Sequence, residues 1–95
     1  MTQKITPTLT WDLYRNQRTA SSTIGNGKKA VYMIYYIDFG YGGCYRCLRS
    51  IVDEDTDVDD VDFNDGIEVA SYIHTGEEAE EACQEDLQKL IENKL

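Results

Sequence analysis

Leu9, Trp11 and Leu13 alternate with Thr10, Asp12 and Tyr14, and this period of two predicts a first strand. Thr19 to Ile24 is small and polar and predicts a second. Gly25-Asn26-Gly27-Lys28-Lys29 follows, and Asn-Gly marks a tight turn. Ala30 to Phe39 is rich in β-branched and aromatic residues and apolar on both faces, so it predicts the central strand of a sheet. Gly40-Tyr41-Gly42-Gly43 ends that run as a hairpin loop. Cys44 to Val52 returns as a strand with Tyr45, Cys47, Arg49 and Ile51 on one face, and Ile67 to Ile73 predicts a fifth.

The pattern then changes period. Thr75-Gly76-Glu77-Glu78 has the form of a capping box, with Thr75 as N-cap and Glu78 at the third helical position. Ala79, Ala82, Cys83, Leu87, Leu90 and Ile91 fall on one helical stripe. Glutamates crowd the first two turns, with Lys89 and Lys94 near the end, which complements the helix dipole. These signals predict a helix over about 76–93. One amphipathic helix needs one apolar surface, and an antiparallel sheet of four or five strands supplies it. The expected fold is α+β in two layers, a single domain over residues 1–95, with Trp11, Tyr35, Ile37, Ile73, Leu87 and Leu90 in the core.

Composition narrows the class. A chain of 95 residues that is 41% hydrophobic can fold alone. The longest apolar stretch, Ala30 to Ile37, is too short to span a bilayer, and no secretory leader is legible. Three cysteines, an odd number, argue against a secreted disulfide framework. The expectation is a cytoplasmic protein without a membrane partner, monomeric or homodimeric.

Charge changes the picture most. Residues 1–50 carry seven basic and two acidic side chains, whereas residues 51–95 carry two basic and sixteen acidic ones, for a net charge of −9 overall. Eight carboxylates and no cation lie in Asp53-Glu54-Asp55-Thr56-Asp57-Val58-Asp59-Asp60-Val61-Asp62-Phe63-Asn64-Asp65, an acidic loop over about 53–66. If extended, Asp53, Asp55, Asp57 and Asp59 would line one side about 6.7 Å apart. Val58, Val61 and Phe63 interrupt the acid and could pin the segment to the body. No register places glycine and glutamate where an EF-hand calcium loop requires them. A solvated loop without a partner is the plainest reading. The sharper one is a nucleic-acid mimic: carboxylates replacing phosphates toward a basic groove.

Other chemistry is thin. Cys44-Tyr45-Arg46-Cys47 is a C-x-x-C, and His74 and Cys83 are the remaining candidates for a zinc site. Eight residues separate those two, which matches no common zinc ribbon, and residues three apart on a strand face opposite sides. One histidine and no phosphate loop or nucleophile elbow lead to the expectation of a protein that is not an enzyme and carries no cofactor. Arg15, Arg18, Lys28 and Lys29 near two turns, and Arg46 and Arg49 beside tyrosines, could form a stacking platform for single strands. The acidic balance of the chain opposes that, and these cations could instead pair with the acidic half.

A tryptophan in an early strand, a tyrosine-rich hairpin, a late strand, and Thr75-Gly76-Glu77-Glu78-Ala79-Glu80-Glu81-Ala82 opening a terminal helix together resemble small acidic proteins of phages and mobile elements, of the anti-restriction or anti-CRISPR kind. The resemblance is one of element order. It implies a setting, the host cytoplasm, and an inhibitory role by nucleic-acid mimicry; no binding residue is carried over from it. The expected docking surface comprises Asp53, Glu54, Asp55, Asp57, Asp59, Asp60, Asp62, Asp65, Glu68, Glu77, Glu78 and Glu81. The expected partner is a basic nucleic-acid-binding protein or complex, not nucleic acid itself. The alternatives are a small zinc-binding or regulatory domain using Cys44, Cys47, His74 and Cys83, and a structural accessory protein that oligomerises through exposed tyrosines.

Overall fold

The structure, a computed structural model, describes residues 7–14 and 17–93; Arg15 and Lys94 and the side chains of Tyr14 and Asp65 lie outside that description. The chain forms a five-stranded antiparallel sheet packed against one C-terminal helix, an α+β architecture. The strands are β1 (Asp12–Tyr14), β2 (Gln17–Gly25), β3 (Lys28–Asp38), β4 (Gly43–Asp53) and β5 (Ile67–Ile73), and the helix is α1 (Gly76–Asn93). Spatial order follows chain order, so β3 is central, as its apolar run predicts. Asn26 and Gly27 form the two-residue turn between β2 and β3. Both have positive φ, 58° and 74°, the twist that suits a tight hairpin.

Side-chain alternation divides β3 between two faces. Ala30, Tyr32 and Ile34 point toward α1 and join Ala20, Ile24, Cys47, Ala79, Cys83 and Leu87 in one buried cluster. Leu9 belongs to it too. Its backbone N–H donates to Gln84 Oε1 at 2.9 Å, and Gln84 Nε2 donates to the Pro7 carbonyl at 2.8 Å. That side-chain clamp takes residues 7–11 onto the helix, so the first strand is confined to Asp12–Tyr14 rather than starting at Leu9. Thr75 caps α1, its Oγ1 accepting from the Glu78 N–H at 3.1 Å.

Two of the expected core residues lie elsewhere. Tyr35 and Ile37 are half-buried on the sheet face opposite α1. The run from Ala30 to Ile37 has no polar residue to set its phase, and Tyr32, not Tyr35, fills the helix side. Trp11, Ile73 and Leu90 are partly buried against the core, and Leu87 is fully buried within it.

The opposite face is covered over part of its area. Val31 is 0% exposed yet stands outside the helix-side cluster. Near it, Val58, Val61 and Phe63 of the acidic segment line a depression with Gln17, Thr19 and Met33. The acidic segment is therefore a strap across the back of the sheet.

Candidate acidic docking surface

The strap is folded, not extended. Two 3-10 turns, Val58–Asp60 and Phe63–Asp65, replace the alternating line of carboxylates. The cause is local. Asp57 accepts from the Asp59 N–H at 3.1 Å and Asp62 accepts from the Asn64 N–H at 2.9 Å, each capping its own turn. At its start, the Glu54 N–H donates to the Gly27 carbonyl at 2.9 Å, and Asp53 pairs with Lys28. At its end, Gly66 lies so close to β4 that a Cβ there would sit 2.3 Å from the Arg49 carbonyl oxygen. Backbone bonds at the entrance and a close fit at the exit give the strap a defined path.

Charges sort into used and unused. Arg18–Glu80, Lys28–Asp53, Arg46–Glu68 and Arg49–Asp86 each join a cation of the first half to a carboxylate of the second. The cations proposed as a nucleic-acid platform are thus largely engaged within the molecule. Arg49 Nη1 donates to both oxygens of Asp86, at 2.8 and 2.7 Å, and the Tyr32 hydroxyl donates to the same carboxylate at 2.7 Å. Burial first, then that hydrogen bond, raises the Tyr32 phenol well above its ordinary value. Arg46 donates to the Tyr35 hydroxyl at 2.8 Å and to Glu68 at 2.9 Å, and both contacts hold it above its ordinary value.

What remains is acidic. Glu54, Asp55, Asp57, Asp59, Asp60 and Asp62 are exposed and make no ion pair among the described residues. Glu77, Glu78 and Glu81 are exposed as well, but they stand on α1, on the other side of the sheet from the strap. The sequence groups these carboxylates together, whereas the fold separates them into two surfaces. Asp53 and Glu68 lie at the strap's margins and are half satisfied by Lys28 and Arg46.

The cysteines do not gather as a zinc set. Cys47 faces α1 and Cys83 faces the sheet, whereas Cys44 pairs across from Ile37 on the back of the sheet and His74 is exposed beyond β5. Among the described residues no group of three or more His, Cys, Asp or Glu side chains converges to hold a metal ion. Tyr41 and Tyr72 are 91% and 76% exposed, and Phe39 stacks on Tyr41 with ring centroids 6.1 Å apart, so the β3–β4 turn carries an aromatic tip. Tyr72 owes its position to a bulge: it has φ 57°, in the left-handed region, where β5 slips register against β4. Sequence reading recognised exposed tyrosines in general but had no signal for that bulge.

No described helix is long and apolar enough to cross a membrane. The fold and surface together define a small α+β meander with an acidic strap on the back of its sheet. Comparison with protein-family models, curated proteins and solved structures finds no match.

Proposed function

We propose that this protein is a binding inhibitor, not an enzyme, and that its acidic strap docks in the basic groove of a nucleic-acid-handling protein and excludes the nucleic acid. The observation that carries this reading is the fixed path of a strap whose aspartates 55, 57, 59, 60 and 62 are all exposed and without an ion-pair partner among the described residues. Keeping like charges close together on an ordered backbone opposes folding, and a basic partner would recover that cost. A free acidic tail would have to be ordered on binding, whereas this strap is already ordered. Glu77, Glu78 and Glu81, on the far side, contribute long-range attraction rather than contacts. The reading places the protein in the cytoplasm alongside that partner.

The test is a tagged capture from a bacterial lysate treated with nuclease, eluted by a salt gradient. It is run in parallel with a variant carrying Asp→Asn at 55, 57, 59, 60 and 62. Asparagine still caps the two 3-10 turns, so this variant keeps the strap's shape and removes its charge. The expected result is a nucleic-acid-binding protein that elutes at moderate salt, is displaced by added duplex DNA or RNA, and is not captured by the variant. Equal capture by a folded variant overturns the proposal.

A further inference from the structure

Part of the helix–sheet interface is built from small residues: Ala79 and Cys83 of α1 share one buried cluster with Ala20, Ala30 and Cys47 of the sheet, beside the larger Tyr32, Ile34 and Leu87. The Cys47 Sγ lies 3.6 Å from the Ala79 carbonyl oxygen, one helical turn before Cys83, and both cysteines belong to the same buried cluster between helix and sheet. Both residues are 0% exposed, and all three cysteines of the chain are free. Cys44 stands on the opposite face of the sheet, so it reaches neither partner.

We propose that Cys47 and Cys83 are a redox modification site, at which a peroxide or a small-molecule disulfide joins the two sulfurs and staples α1 to β4. With a peroxide, one of the two thiolates attacks one oxygen, forming an S–O bond as the O–O bond breaks, and hydroxide leaves and takes up a proton to become water. The other sulfur then attacks the oxidised one, the S–O bond breaks, and a second water forms. With a small-molecule disulfide, one thiolate forms a mixed disulfide as one small thiol leaves, and the other cysteine then displaces the second small thiol. The two thiols lose two electrons and two protons, and hydrogen peroxide gains them to become two waters. Because both sulfurs are buried, the oxidant gains access only when the helix opens from the sheet, and the rate follows that opening. The staple would close a loop with 35 residues between the two cysteines, which removes freedom from the unfolded chain.

The experiment uses the full chain with Cys44→Ala, equilibrated across a series of reduced and oxidised glutathione buffers, quenched by alkylation and mapped by mass spectrometry without reduction. The expected result is a cross-linked peptide pair containing Cys47 and Cys83, an intact mass lower by two hydrogens, and a higher thermal midpoint that a reductant reverses. Cys83→Ala, checked for folding by circular dichroism, gives no internal cross-link; wild-type mapping with Cys44 present gives the same pair should that variant not fold. Thiols that stay reduced across the series, glutathione adducts in place of the cross-link, or a cross-linked protein that melts below the reduced one each overturn the proposal.

Discussion

Replacing Asp86 by alanine tests how the helix is held. The Asp86 carboxylate receives Arg49 and the Tyr32 hydroxyl, all three at contacts of 2.7–2.8 Å, with side-chain exposures of 14% for Arg49 and 20% for Asp86. Hydrogen bonds to charged groups contribute about 1.5–3 kcal/mol each when well shielded. Here the remaining exposure lets Arg49 recover part of its hydration, and alanine returns about 0.5 kcal/mol of helix propensity. The net loss should be about 2–3 kcal/mol, several times the few tenths to one expected of an exposed ion pair. Urea unfolding of the two proteins at neutral pH reads it directly. With an unchanged slope, the midpoint should fall by at least about 1 M for a chain of this size. The double variant Arg49→Met with Asp86→Leu should recover part of the loss, because no charge is then left alone although the Tyr32 hydroxyl still lacks its acceptor. An Asp86→Ala protein within about 0.5 kcal/mol of the parent, the range of ordinary surface changes, would refute the reasoning. The helix would then be held by its apolar contacts, the Gln84 clamp and the Arg18–Glu80 pair.

Three further outcomes follow from the same geometry. Gly66→Ala should destabilise by about 1–3 kcal/mol, read by thermal unfolding, because its Cβ would meet the Arg49 carbonyl oxygen at 2.3 Å while its φ of −86° is ordinary. The cost is thus steric, and a neutral effect would mean that the strap's exit is free to move. Tyr32 is held above its ordinary value of 10.0 by burial and by Asp86, so its contribution to stability is fully present below pH 10 and is lost as the pH rises beyond. Tyr32→Phe should therefore lessen the fall in stability between about pH 9 and about pH 11, and parallel falls in the two proteins would remove Tyr32 as the cause. Phe63→Ala should weaken capture of the partner while leaving the near-ultraviolet signal of the helix-side core in place; undiminished capture would show that the strap needs no pinning.

Much of the architecture was legible because the periods are clean. β5 spans Ile67–Ile73 and α1 spans Gly76–Asn93, as alternation, the Thr75 cap and the apolar stripe predict. The misplacement of Tyr35 and Ile37 has one physical origin, the phase of an element that is covered on both sides. The Ala30–Ile37 run carries no polar residue, so the choice between Tyr32 and Tyr35 depended on which face α1 took, and the strap over Val31 erased the usual contrast. The same ambiguity hid the approach of Cys47 to Cys83. Leu9 left the first strand because Gln84, 75 residues away, supplies the acceptor for its N–H, and no local pattern announces that. The turns of the strap, by contrast, were readable in principle. Asp57-Val58-Asp59 and Asp62-Phe63-Asn64 both place an aspartate two residues before the N–H it accepts, a turn signal masked by attention to charge.

The lopsided charge has two roles, and the fold separates them. One share of the carboxylates neutralises the cations of β2, β3 and β4, where Glu80 and Asp86 fix α1 over the sheet and Asp53 and Glu68 fix the ends of the strap region. That share serves the fold, since removing it would leave Arg18 and Arg49 against a partly buried interface. The other share, Asp55 to Asp62, serves no cation among the described residues, although the same segment supplies the apolar contacts of Val58, Val61 and Phe63 to the back of the sheet. Folding alone would be met by those three apolar residues with neutral polar neighbours, as Asn or Ser would cap the same turns without mutual repulsion. A charged solution to a structural need that uncharged residues meet equally well points outward, to solubility or to a partner. Solubility requires net charge anywhere on the surface, and α1 already supplies it through Glu77, Glu78 and Glu81. The position of the aspartate strap on the opposite face therefore supports the proposed docking role over a role in solubility alone.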